Sequence, residues 1–273
     1  MNLSTLAVAE KIGKHDTSLF ATIQSQSTDG DRKSLLVIHS IIRRILGSFI
    51  YLEIGSHLGG SLQAMVADPS CTRIISIDPR PEKFCDERGI ISAYPKNSSQ
   101  CMLDLLKTVP QSDISKIKTI ELDSSQIELS GIGDKPQFCF IDGEHTDVAA
   151  LRDARFCLKL MNGEGIIAFH DANVIYAAID TFIQDLNSSG IQFRAFILAD
   201  SVFVVELGKT PRVTSNMEFI EHLQYSHRAF LSGLKMNAWY RAVLNQPCFL
   251  VLRRIRFIRR LFMVKNFQGG QPI

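Results

Sequence analysis

Five short β-rich runs, each closing on acidic or polar residues and separated by stretches of helical periodicity, constrain this chain more than any other feature. They cover residues 49–54, 74–78, 117–124, 138–145 and 165–173. Between them, Met102, Leu105, Leu106 and Val109 recur at helical spacing and stop at Pro110. Val148, Leu151, Ala154 and Leu158 do likewise and stop at Asn162-Gly163, and Ile175, Ala178, Ile179, Phe182, Ile183 and Leu186 run up to Asn187-Ser188-Ser189-Gly190. Alternation of strand and helix predicts an α/β, Rossmann-like doubly wound sheet. Two further runs, 193–199 and 202–207, are joined by the tight Asp200-Ser201 and predict an antiparallel hairpin at the sheet edge. In an open sheet of this kind ligands bind outside the carboxyl ends of the strands, where the polar residues of this chain collect.

The first run breaks into Gly55-Ser56-His57-Leu58-Gly59-Gly60-Ser61. Gly55 and Gly59 permit backbone angles closed to other residues and a close approach to a ligand, while a following helix offers unpaired N–H groups. The spacing is neither the dinucleotide fingerprint, since His57 interrupts it, nor the phosphate loop, since Ser61-Leu62 stand where Lys-Ser would be. Asp78 ends the second run in the place where an acid accepts hydrogen bonds from ribose hydroxyls.

Glu-x-Gly-x-x-x-Gly over residues 53–59 resembles the first motif of class I S-adenosylmethionine-dependent methyltransferases. Phe140-Ile141-Asp142-Gly143-Glu144-His145, followed by a helix and then Gly165-Ile166-Ile167-Ala168-Phe169-His170-Asp171, is similar to the macrocin O-methyltransferase-like and cephalosporin hydroxylase-like proteins. The resemblance covers about residues 50–207 and implies S-adenosylmethionine as cofactor, contacted by Glu53, Gly55, Ser56, Gly59, Ser61, Asp78, Asp123, Ser124 and Asp142. It also implies a hydroxyl acceptor on a sugar, such as a glycan, or on a natural-product-like small molecule; the expectation of a lipid-linked acceptor comes instead from the basic segment 249–262. A Mg²⁺ ion would be held by Asp142, Asp171 and Asn173, the last standing one residue late because Ala172 occupies the expected place. His145 or His170 is the candidate base. The plain alternatives are that Asp142 and Asp171 cap the helices that follow them, and that His57 merely fills its loop.

With 45% hydrophobic and 21% charged residues, the chain has material for one large core. The expected organisation is a polar arm over 1–33, a methyltransferase domain over 34–209 opening with a helix capped by Ser34, and a helical extension over 210–273. The scattered cysteines, without C-x-x-C pairs, and the lack of a basic start before an apolar core predict a cytoplasmic protein with reduced thiols. The net charge of +2 conceals five arginines between Arg253 and Arg260. Residues 249–262 project as a basic amphipathic helix, suited to packing, to homo-oligomerisation, or to peripheral contact with the inner face of a membrane. No aromatic platform accompanies the arginines, so nucleic acid is not the expected partner. Arg80-Pro81-Glu82-Lys83 reads as a solvated loop, with contact to a polar substrate as the alternative. A nicotinamide-dependent dehydrogenase lacks its glycine pattern here, and aminopropyl transfer lacks an acid-rich pocket. A non-catalytic cofactor-fold module tethered by its basic tail is the alternative function from another class.

Overall fold

The computed structural model describes residues 3–86, 89–209, 212–223 and 225–244. The chain divides into two units, Met1–His227 and Arg228–Ile273. The second contributes one helix, α8 (His227–Leu244), to the described residues, and the basic segment 249–262 lies outside them. No helix among the described residues is long and apolar enough to cross a membrane.

In the first unit a parallel core is formed by β1 (Phe49–Ile54), β2 (Cys71–Ile77), β5 (Ile117–Ile120), β6 (Phe138–Ile141) and β7 (Gly165–Phe169). Their spatial order is β7-β6-β1-β2-β5. β9 (Phe203–Leu207) joins β7 antiparallel, β8 (Phe193–Ile197) follows it, and the two-residue β10 (Tyr225–Ser226) closes that edge. The reversed strand β9 therefore sits inside the sheet, between β7 and β8. A separate hairpin, β3 (Lys83–Cys85) and β4 (Ile91–Ala93), was not legible in the sequence because its burial alternates around half-exposed residues.

Helices flank the sheet: α1 (Leu3–Gly13), α2 (Asp29–Leu46), α3 (Gln63–Ala67), α4 (Ser99–Leu106), α5 (Asp147–Met161), α6 (Tyr176–Ser188) and α7 (Met217–Glu221). Two begin and end for plain reasons. Thr146 caps α5 by accepting the Ala149 N–H, and Asn162 ends it in the left-handed region at φ 56°. α2 starts at Asp29, not at Ser34: Thr28 and Asp31 form a reciprocal capping box, and Ser34 is buried inside the helix. The polar arm expected over 1–33 carries apolar side chains that pack into the core. Val8, Ile12, Phe20 and Ile23 are each at most 5% exposed and join the core formed by Leu36, Ile38, Tyr51 and Phe138. Burying such side chains is worth about 1.5–3 kcal/mol each, enough to hold the segment down.

The site is positioned by one property of the parallel ladder, which continues one residue past each strand. Gly55 N–H donates to Ile77, Asp78 N–H to Ile120, Asp142 N–H to Ile54 and His170 N–H to Ile141. The backbones of these residues are fixed by the sheet while their side chains stand at its carboxyl edge. The chain order reverses between β1 and β6, leaving a crevice at that edge.

Candidate active site

A cavity of about 400 Å³ opens over the carboxyl ends of β1, β2, β6 and β7. Gly55, Ser56, Ser61, Asp78, Asp123, Ser124, Asp142, His145, His170 and Asp171 all line it, although they come from five separate strand ends. Gly55 adopts φ 89°, and a Cβ there would fall 2.1 Å from the Asp142 carbonyl oxygen, so only glycine lets β1 and β6 end side by side.

One half of the cavity holds the glycine-rich loop in place. Asp78 accepts from the N–H of His57 and from the N–H of Arg80, both at 2.8 Å. Arg80 is not solvated. Only 8% exposed, it donates to the His57 carbonyl, to Asn97 at 3.2 Å, and to Ser56 and Ser76 at 3.1 Å each. A charge after a strand-end Asp-Pro gave no sign of this, because the partners are brought in by the fold. His57, at φ 42°, sets its ring edge-on to Tyr94, which lines the cavity with Phe84. Asp123 caps a short turn by accepting from Ser125 and pairs with Arg152 at 2.9 Å, while Ser124 donates to the buried Asp153. Leu122, 44% exposed, supplies apolar surface beside them.

Glu53 and Gly59 stand apart from this lining. Glu53 is fully buried behind the wall, its two oxygens accepting from Tyr51 Oη and Ser61 Oγ at 2.5 Å each. Burial pushes its carboxyl up to about 8 against these hydrogen bonds. Glu53 therefore fixes Ser61, which does line the cavity. Gly59 faces Leu106 and Met102 of α4.

The other half gathers charge. His145 Nε2 lies 3.4 Å from Asp142 and 3.5 Å from Asp171. His170 Nδ1 lies 2.9 Å from Asp142 and 3.6 Å from Asp171, and its Nε2 lies 3.2 Å from Asp31. Both His170 nitrogens are buried, and neither makes a hydrogen bond of good direction with these oxygens, so the contacts are close ion pairs. Burial alone would lower the His170 pKa, but Asp142, Asp31 and Asp171 raise it to about 11. Asp31 shows the reverse: burial would raise it, yet His170 and Thr28 hold it at about 2. Asp142 is likewise held below the usual carboxylate range against burial by His145 and His170. His145 is raised, chiefly by its contact with Asp142. The capping alternative fails for both strand-end acids, since Thr146 caps α5 and α6 begins five residues beyond Asp171 without a side-chain cap. Asn173 is exposed and absent from the cavity lining, so it is not brought to Asp142 and Asp171. Among the described residues, Asp142, His145 and His170 place ligand-capable atoms all within 4.8 Å of one another. Asp31 was missed in the sequence, where it reads only as one more polar residue of the arm over 1–33.

Fold and site together define a Rossmann-like α/β domain with a ligand cavity at the carboxyl edge of its sheet. Residues 52–172 match the family described as a methyltransferase domain, which places the domain within the first unit of the chain. No curated protein matches the sequence. Among solved structures, the chain is similar to an O-methyltransferase from Bacillus cereus in complex with SAH, at 14% identity and TM-score 0.46, covering 77% of this chain and 92% of that one. It is also similar to the O-methyltransferase TomG from Streptomyces achromogenes, involved in tomaymycin synthesis and in complex with SAM, at 12% identity and TM-score 0.46, covering 77% and 91%. A third is an SAH-bound methyltransferase from Podospora anserina, at 16% identity and TM-score 0.42, covering 77% and 89%.

Proposed function

We propose that this protein transfers the methyl group of S-adenosylmethionine to a hydroxyl of a sugar or natural-product-like small molecule. The observation that carries the reading is the meeting, in one cavity, of the glycine-loop half with the half holding His145 and His170. The donor set fits the cofactor: Asp78 presents carboxylate oxygens for a ribose diol, and Leu122 and Ser124 offer an apolar and a hydrogen-bonding surface for the adenine. When bound, the cofactor supplies a methyl carbon already made electrophilic by its sulfonium. The protein's part is to align the acceptor oxygen and take its proton.

His145 is the proposed base. It faces the cavity, and the carboxylates of Asp142 and Asp171 strengthen its basicity. His170, held as a cation among three carboxylates, has no free lone pair to offer and instead fixes Asp142. The polar, uncharged wall formed by Gln24, Ser25, Gln26, Ser27 and Thr28 suits a hydroxyl-rich acceptor and offers no charge to an ionic one. The test is calorimetry with S-adenosylhomocysteine, followed by transfer of labelled methyl groups to a panel of glycosides. Binding of the cofactor product together with loss of transfer in His145→Ala is the expected result; tight binding of a nicotinamide nucleotide instead refutes the reading.

The cation implied by the resemblance does not fit the all-oxygen site of Asp142, Asp171 and Asn173, because Asn173 is outside the cavity. A second reading is favoured by the cluster of Asp142, His145 and His170, in which two imidazoles and a carboxylate converge and the buried His170 nitrogens make no well-directed hydrogen bond. Imidazole donors suit zinc, copper, iron or nickel better than Mg²⁺. In that reading the two histidines are ligands and the base role of His145 lapses. Metal analysis of the purified protein decides between them, together with turnover in excess chelator: stoichiometric metal and full loss of turnover support the cluster, and unchanged turnover supports the metal-free base.

A further inference from the structure

Gln63 opens α3 directly after the glycine-rich loop, and nothing in the sequence distinguishes it from any helix-start polar residue. It is fully buried and does not line the cavity. Its Oε1 accepts from the N–H groups of Thr22 (3.0 Å) and Ile23 (2.8 Å). Its Nε2 donates toward the carbonyls of Phe20 (3.0 Å), Ile23 (2.9 Å) and Gly60 (2.8 Å). One carboxamide thus satisfies backbone groups of the segment before α2 and of the glycine loop at the same time. A buried amide making this many contacts is costly to remove, because each abandoned partner stays out of water.

The residues immediately after this clamp, Gln24 to Thr28, form a wall of the cavity. They rest on the loop itself: a Cβ on Gly60 would fall 2.3 Å from the Ser25 Cβ and 3.1 Å from its Cα. The far end is tied down by Thr28, which bonds Asp31 and Asp200. Arg32 also donates to Ser25 Oγ at 3.3 Å, so the strap is held at three points, and Gln63 is the one that joins it to the loop by hydrogen bonds.

Resting on the methyl-transfer reading above, we propose that Gln63 is a positioning residue: it holds residues 24–28 as a strap across the cavity, so that the ligand is enclosed by a segment upstream of the methyltransferase domain. Gln63 touches no ligand and acts only through the strap and the Gly60 carbonyl.

The test uses the full chain, S-adenosylhomocysteine as probe, calorimetry, and hydrogen exchange read over residues 20–28, at a temperature below the melting point of every variant. In the wild type the probe is expected to slow exchange across 22–28. Gln63→Leu, which keeps the size and removes the hydrogen bonds, is expected to weaken probe binding at least tenfold and to abolish that slowing. Gly60→Ala should do the same by displacing Ser25, and adding Ser25→Gly should restore most of the affinity, a rescue that general destabilisation does not produce. Should Gln63→Leu fail to fold, the Gly60 and Ser25 pair decides. Binding by Gln63→Leu within twofold of wild type, exchange over 22–28 indifferent to the probe, or no rescue by Ser25→Gly overturns the inference alone. A wild type that does not bind the probe overturns the methyl-transfer reading itself, and the inference with it.

Discussion

His170, at the end of β7, lies 3.2 Å from Asp31, in the first turn of α2, and both side chains are almost wholly buried. The pair joins the cavity floor to the helix that precedes the first strand. Asp31 also accepts from Ser201 in the turn between β8 and β9 and completes the cap of α2, so one carboxylate ties together three elements.

Breaking that pair is expected to be expensive. Asp31→Ala should destabilise the protein by about 3 kcal/mol, because it removes a helix cap and leaves buried His170 with fewer counter-charges. Asp31→Asn keeps the cap and should cost less. Urea unfolding of the two variants at pH 6 measures the difference, and equal stabilities would show that the charge contributes little.

The stability of the protein should fall as pH rises, in two windows that overlap between pH 6.5 and 8. Glu53 is raised to about 8 when folded and ionises near 4.5 when unfolded, so its contribution is complete below 4.5 and is lost between 4.5 and 8. His170 is raised from 6.5 to about 11, so its contribution is complete below 6.5 and is lost between 6.5 and 11. Each group has a limiting slope of about 1.4 kcal/mol per pH unit. Glu53→Gln should flatten the fall between pH 5 and 6.5 and leave the fall above pH 8 in place, as chemical denaturation across pH would reveal.

Asp78→Ala should weaken S-adenosylhomocysteine by about 1.5–3 kcal/mol, through lost acceptors for the ribose. The same change frees the N–H groups of His57 and Arg80, so its effect should exceed that of Asp78→Asn, which keeps one acceptor. Calorimetry orders the three proteins; an alanine variant that binds like wild type removes Asp78 from the site.

Arg80→Ala should destabilise the fold by about 3–5 kcal/mol, since Ser56, Ser76 and the His57 carbonyl lose a buried donor. Arg80→Lys should not rescue it, because one ammonium group does not reach partners spread around a planar guanidinium. Thermal melting of both variants is the measurement.

The sequence by itself determined the sheet and where its polar ends would be. Alternating apolar runs and helical stripes fix which backbone segments pair, and in a parallel sheet all strand ends of one sense share an edge; hence Asp78, Asp142, His145, His170 and Asp171 could be assigned to one cavity from their place in the chain. Tertiary structure alone decided how they are used. Whether a carboxylate meets a ribose, a guanidinium or an imidazole depends on neighbours distant in sequence: Asp31 reaches His170, Arg80 turns inward under the glycine loop, Glu53 withdraws behind Ser61, and Gln63 clamps a segment forty residues upstream. Periodicity records which face of an element avoids water. It carries no record of which buried polar group answers another, because that pairing is set by distances only the packed chain defines.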